Sequence, residues 1–236
     1  MNKKILLISN SISHKQGYLD HCALEIIDFL GKIKKILFVP YALFDRDKYE
    51  IIAKERFAKI NIKLESVHNS TKPKKAVENA SAIFIGGGNT FRLLNELYKN
   101  DLLEIIRKKV LAGKLLYIGA SAGSNVACPT IKTTNDMPIV KPPSFDSLNL
   151  IPFQINPHYF DPDPLSRHMG ETRTQRIKEF HEENSQTVVG LRENSWLRIE
   201  KDKIKLGGST GAKIFICSKI SYEVNNTSNV NLLLKN

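Results

Sequence analysis

The segment Leu115-Leu116-Tyr117-Ile118-Gly119-Ala120-Ser121-Ala122-Gly123-Ser124-Asn125 sets a G-x-S-x-G motif directly behind an apolar run. That order is what a nucleophile elbow requires. The serine sits on a strained turn between strand and helix, its hydroxyl lifted clear of the backbone, and small neighbours leave room for the bend. Ser121 is therefore the candidate nucleophile. The amide of Ala122 is the candidate oxyanion donor, reinforced by the positive end of the helix that follows. The plainer alternative is a glycine-rich strand-to-helix turn with a capping serine.

A second strand-to-helix junction reads Ile83-Phe84-Ile85-Gly86-Gly87-Gly88-Asn89-Thr90. Three glycines at a strand end permit close backbone approach to a ligand, and their amides can form an anion-binding nest. A dinucleotide fingerprint would need another glycine where Phe91 stands. If both loops open at the carboxyl edge of one sheet, Gly88 can supply a second oxyanion amide opposite Ser121.

A serine nucleophile also needs a base. Of six histidines, His158 follows the apolar run Leu150 to Ile155 and is stiffened by Pro157, which predicts a rigid loop over Asn156 to Pro164. His168 is a competitor. The same region permits a metal reading through His158, Asp161, Asp163 and His168, although carboxylates beside proline are common turn formers. Asp136 and Glu193 are candidates for the acid that orients the base. Taken singly, each is also an ordinary surface or capping carboxylate.

The elements that must carry these groups follow from the apolar pattern. Ile5 to Ile8, Ile36 to Val39, Ala82 to Ile85 and Leu115 to Ile118 are continuous apolar runs, as expected of strands covered on both faces. Between them lie helical stripes: Leu24, Ile27 and Leu30; Ile51, Ile52, Phe57 and Ile60; and Leu94, Leu97, Leu102, Ile105 and Ile106. Prolines 138, 142, 143 and 152 interrupt the alternation. Arg173 to Asn184 predicts a further helix. Val188 to Leu191, Trp196 to Ile199, Ile204 to Leu206 and Ile214 to Cys217 predict strands, with a hairpin turn at Asp202-Lys203. The expected fold is α/β: three layers around a mostly parallel, doubly wound, flavodoxin-like sheet, with C-terminal β-hairpin additions, in a single domain over 1–236.

Composition limits the partners. Thirty-five Lys and Arg against 24 Asp and Glu give a net charge of +11, which raises nucleic acid as a partner. The cations are dispersed in pairs such as Lys34-Lys35 and Lys108-Lys109, without interleaved aromatics, so a solvated basic surface is the better reading. Cys22, Cys128 and Cys217 are odd in number and far apart, which argues against a disulfide framework or a zinc knuckle and favours a reducing compartment. The run Ile5 to Ile8 is too short for a signal-peptide core, and no stretch reaches membrane-span length. The expectation is a cytoplasmic protein with no membrane partner.

Taken together, these blocks resemble the peptidase E family of α-aspartyl dipeptidases, serine peptidases related to cyanophycinase. The resemblance runs through Leu6 to Ser11, Tyr18-Leu19-Asp20-His21, Gly86 to Thr90 and Gly119 to Asn125. It continues through Thr133 to Pro138, Asn156 to Tyr159, Gly170 to Ile177 and Leu191-Arg192-Glu193. It implies a fold similar to class I glutamine amidotransferases, with serine in place of their elbow cysteine. It implies Ser121 as nucleophile, His158 as base and Glu193 as orienting acid, with Asp136 at another position assigned to the charge relay. Asn194 departs from the pattern, since glycine is expected after the acid. The substrates implied are small dipeptides with N-terminal aspartate. Arg173 is then the candidate cation for the aspartate β-carboxylate, with His21 as a helper and Asn89 as a further substrate contact. No cofactor, metal or nucleic acid is expected, and the chain is a monomer or homodimer. The rival readings are a cyanophycinase-like β-aspartyl-arginine hydrolase and a catalytically silent anion-binding module.

Overall fold

The computed structural model describes residues 2–162 and 170–234 of the 236-residue chain. Asp163 and His168, weighed above as metal ligands or a competing base, lie outside the described residues.

The first half alternates strand and helix: β1 (Lys4–Ile8), α1 (Ala23–Leu30), β2 (Lys35–Val39), α2 (Arg46–Ala58), β3 (Lys63–Ser66), α3 (Pro73–Asn79) and β4 (Ala82–Ile85). There follow α4 (Thr90–Lys99), α5 (Leu103–Leu111), β5 (Leu116–Ala120) and the single-turn α6 (Ala122–Asn125). After a long proline-containing stretch come β6 (Gln154–Tyr159), α7 (Arg173–Glu183), β7 (Val188–Arg192), β8 (Ser195–Glu200), β9 (Lys203–Gly208), β10 (Ala212–Phe215) and β11 (Tyr222–Val224).

Among the described residues these strands form two sheets. The larger runs β3-β2-β4-β5-β1-β8-β9, its first five strands parallel and the β8-β9 hairpin antiparallel at the edge. The smaller runs β11-β10-β7-β6. The mostly parallel α/β sheet is thus as expected. The C-terminal strands do more than extend it, because β6, β7, β10 and β11 form a sheet of their own.

The continuous apolar runs are explained by two-sided burial. In β1, Ile5 and Leu7 face one core cluster while Leu6 and Ile8 face the other. The first cluster lies against α3 to α6 and the smaller sheet; the second lies against α1 and α2. A third cluster of Tyr159, Ile177, Phe180, Val188 and Phe215 seats α7 on the far side of the smaller sheet.

Two helices turn a different face inward from the one their spacing suggested. In α1 the buried residues are Ile26, Phe29 and Leu30, whereas Leu24 is 82% and Ile27 41% exposed. In α2, Tyr49, Ala53 and Phe57 face the sheet, and Ile51 and Ile52 face outward. Both helices carry apolar residues on more than one side, so periodicity alone offers two stripes, and in α2 aromatic packing accompanies the one that is buried. Phe38, Tyr49, Phe57 and Phe84 make ring contacts at 5.0 to 5.3 Å between centroids.

The expected loop at Asn156 to Pro164 also differs. Its first part is strand: β6 pairs parallel with β7, and its register shifts between Asn156 and Tyr159. Pro157 is accommodated because β6 is an edge strand with a bulge, where a missing amide donor breaks no central ladder.

Candidate active site

Three chain segments converge where β5 ends, and each contributes one side chain. Ser121 stands between β5 and α6 with φ 52° and ψ −111°, the strained left-handed geometry of an elbow. The bend is over-determined by its surroundings. The Ser121 amide donates to Ile8 O at 2.9 Å, and the Ser124 hydroxyl donates to Ile8 O and Gly119 O at 2.8 and 2.9 Å. Gly123 has no space for a side chain, since a Cβ there would stand 2.0 Å from Ile85 O. The turn therefore presses directly on β4.

His158 sits at the β6 bulge with φ 52°. Its Nε2 lies 2.7 Å from Ser121 Oγ, and its Nδ1 lies 2.8 Å from Glu193 Oε1. With the carboxylate accepting at Nδ1, the neutral ring carries its proton there, and Nε2 is left to accept the Ser121 hydroxyl proton. Glu193 occupies the turn between β7 and β8. Asn194, where glycine was expected, has φ 65°; asparagine is among the residues that enter this region at low cost. Its amide donates to Asn10 Oδ1 at 2.8 Å, and the Ser13 hydroxyl donates to its side-chain oxygen.

Sequence reasoning missed the residues that align these parts. Ser9, fully buried at the end of β1, accepts the His158 amide at 2.9 Å and donates to Leu191 O at 2.8 Å. One hydroxyl thus ties the base-bearing strand to the strand leading to Glu193. Asn125 donates to Ile155 O at 2.8 Å, joining α6 to β6. The readable signal was a run of polar residues, Ser9-Asn10-Ser11, at the end of a fully buried strand, where polar groups must find partners.

The glycine loop after β4 lies against the elbow. A Cβ on Gly87 would stand 3.1 Å from Ser121 Cβ, so the loop and the serine are in contact. Gly88 has φ +131°, and a side chain there would meet Ala42 O at 2.7 Å. Among the described residues, neither the Gly88 nor the Ala122 amide donates to a protein acceptor.

Asp136 makes no hydrogen bond to His158. Its Oδ2 accepts from the Thr90 amide at 2.7 Å, the Thr90 hydroxyl at 2.6 Å and the Thr134 hydroxyl at 3.1 Å. This is a carboxylate at the start of α4, where the helix amides favour negative charge. Of the two carboxylates kept as candidates, Glu193 is the one hydrogen-bonded to the histidine. Asn89 is likewise consumed internally: its Oδ1 caps α4 by accepting from the Arg92 amide, and its Nδ2 donates to Met137 O at 2.9 Å.

Arg173 opens α7, with its guanidinium carbon 5.4 Å from the centre of the Phe160 ring and its buried Nε without a partner among the described residues. Burial lowers its pKa, the neighbouring Arg176 adds to that, and Asp136 opposes it. An arginine so placed is still a cation. His21 has both ring nitrogens buried and unpartnered; burial holds its pKa below the usual histidine value, opposed by Asp20 and Glu193 and aided by Arg56.

Asp161 is an ion-pair hub, contrary to the metal reading. Lys213 lies 3.0 Å from Oδ1, the Tyr159 hydroxyl donates to Oδ1 at 3.0 Å, and Arg192 pairs with Oδ2. Elsewhere, ligand atoms of Asp47, Glu50 and His68 lie within 4.8 Å of one another. Glu50 is already engaged by Lys54 and Asn69, at 2.8 Å each, so the cluster is self-satisfied.

A strained serine with histidine and carboxylate in series, beside a glycine loop, is equipped for acyl transfer. Comparison with known proteins agrees. The family model described as Peptidase family S51 matches residues 5–207. The chain belongs to peptidase family S51. It is a serine peptidase. A Peptidase E of Streptomyces coelicolor is 51% identical over 211 residues, 89% of this chain and 86% of that protein. A probable alpha-aspartyl dipeptidase of Drosophila melanogaster is 46% identical over 215 residues, 90% of each chain. In fold, this S51 peptidase is similar to the crystal structure of a putative peptidase E from Listeria monocytogenes, with a TM-score of 0.66 at 21% identity over 88% of this chain and 99% of the other. A peptidase from an acI-B1 actinobacterium gives 0.68 at 14% identity, covering 97% and 96%. Among the described residues, no helix is long and apolar enough to cross a membrane.

Proposed function

We propose that this S51 dipeptidase hydrolyses dipeptides with an N-terminal L-aspartate through an aspartyl-enzyme. The observation that carries the reading is the unbroken line from Ser121 Oγ through His158 to Glu193, at 2.7 and 2.8 Å. In the first half-reaction Ser121 Oγ bonds to the scissile carbonyl carbon while His158 Nε2 takes the hydroxyl proton. The negative charge forming on the carbonyl oxygen is met by the Gly88 and Ala122 amides, and Glu193 stabilises the imidazolium. Collapse breaks the peptide C–N bond, with the His158 proton going to the leaving amine. Water then attacks the ester with His158 as base, releasing aspartate and restoring Ser121.

Specificity for aspartate rests on Arg173. It is a half-buried cation with an unpartnered Nε, held by the Phe160 ring, and a buried unmatched donor favours the ligand that supplies its acceptor. The similar proteins named as peptidase E and alpha-aspartyl dipeptidase support the same substrate class.

The test is a panel of Asp-X and X-Leu dipeptides assayed with the native protein and Ser121→Ala. Asp-Leu is cleaved, Ala-Leu is not, and the variant loses about 10⁴-fold or more in kcat while melting like the native chain. Cleavage of Ala-Leu as fast as Asp-Leu, or full activity in the variant, refutes the reading. β-Asp-Arg in the same panel distinguishes a cyanophycinase-like hydrolase.

A further inference from the structure

An aspartyl dipeptide presents three polar groups around one Cα: the carbonyl under attack, the β-carboxylate and the α-ammonium. The first two have partners in the reading above. The ammonium needs an anionic one, because a cation carried into the cleft without an acceptor loses its hydration uncompensated.

We propose that Asp136 receives the substrate's α-ammonium through Oδ1, opposite Arg173; this rests on the aspartyl-dipeptide reading. Four observations carry it. Thr90 and Thr134 place three donors on Oδ2 alone, which fixes the carboxylate plane. None of the described residues donates to Oδ1, so one oxygen is an anchor and the other is left open.

Asp136 is also tethered to the proposed oxyanion loop, since Thr90, whose amide it accepts, is two residues beyond Gly88. The ammonium and the scissile carbonyl share one Cα, so their receptors must stand one residue's width apart. On the other side, Asn135 donates to Pro157 O at 2.6 Å and accepts from Asn156 Nδ2 at 2.7 Å, clamping the Asp136 segment to the strand that bears His158.

Asp136 counteracts the lowering of the Arg173 pKa by burial, and no ion pair joins the two. An acid and a cation set near each other without touching match the zwitterionic ammonium and β-carboxylate of an aspartyl residue. The other carboxylates nearby are committed, Glu193 to His158 and Asp161 to Arg192 and Lys213.

The experiment compares Asp-Leu with succinyl-leucine, which keeps the scissile bond and the acidic side chain but lacks the amine. Both are assayed with the native protein and Asp136→Asn, whose side-chain oxygen can still accept from Thr90. Fluorophosphonate labelling of Ser121 and a thermal melt check that the variant is folded.

The native protein should prefer Asp-Leu by about 10- to 100-fold in kcat/KM, and Asp136→Asn should erase most of that preference. The native kcat/KM for Asp-Leu should also fall as pH rises through the substrate's amino pKa, near 8, while that for succinyl-leucine does not. Equal loss on both substrates, as a charge-relay or merely structural role predicts, overturns the proposal. So does an unchanged preference in the folded variant. If the native protein cleaves no Asp-X peptide, the aspartyl-dipeptide reading itself fails.

Discussion

Glu193 Oε1 lies 2.8 Å from His158 Nδ1, the histidine standing on β6 of the smaller sheet and the acid in the turn that follows β7. Their contact is set by backbone: the β6 bulge aims the imidazole, Asn194 turns the chain just past the acid, and Ser9 holds both strands. Removing the charge while keeping the shape isolates its contribution. Glu193→Gln should lower kcat for Asp-Leu by about 10²- to 10⁴-fold with little change in melting temperature, because an amide at Nδ1 cannot stabilise the imidazolium. Undiminished turnover in steady-state assays would remove Glu193 from the relay.

Gly88→Ala tests the oxyanion loop. The added Cβ must displace Ala42 O or Leu43, and φ +131° is unfavourable for alanine, so the amide should turn away from Ser121. We expect kcat to fall about 10²-fold or more with KM changed much less, since the interaction is made in the transition state. A KM effect alone would assign the loop to ground-state binding.

Arg173→Met should act in the opposite sense. Selectivity for Asp-Leu over Asn-Leu should drop about 10- to 100-fold, mainly through KM, because the lost contact is a charge-assisted one with the side chain. Competition kinetics with the two substrates read this directly. A selectivity that survives the change would move the aspartate site elsewhere, with His21 the next group to examine.

Acid should loosen the smaller sheet at Asp161. Burial raises the pKa of this carboxyl, but Arg192, Lys213 and Tyr159 outweigh it and bring it from 3.8 to about 2. A lowered folded-state value gives stability that is present above pH 3.8 and lost as pH falls towards 2. The carboxylate is 43% exposed, so solvent screening limits the size of the effect. Urea midpoints of the native protein and Asp161→Asn should differ at pH 5 and converge near pH 2. A gap that persists at pH 2 would mean the substitution acts through something other than charge.

Much of this protein is legible without a structure. The motif Gly119 to Gly123 behind an apolar strand locates Ser121 because the chemistry of an elbow is local: strand, small residues, helix. The same holds for Gly88 and for the parallel strands, since double-sided burial leaves continuous apolar runs. Other features depend on chain that is distant in sequence. The inward face of α2 is set by the aromatic residues it meets, and β3 alternates over only four residues, too short a run to mark it as a strand. Asp136 and Glu193 are equivalent as isolated carboxylates; they differ because one folds onto the amides of α4 and the other onto His158. The sequence by itself singled out Ser121 as the candidate nucleophile and the sheet that presents it. Tertiary structure decided which acid serves the histidine, because that contact joins residues 35 positions apart through a bulge and a turn that only the packed second sheet brings together.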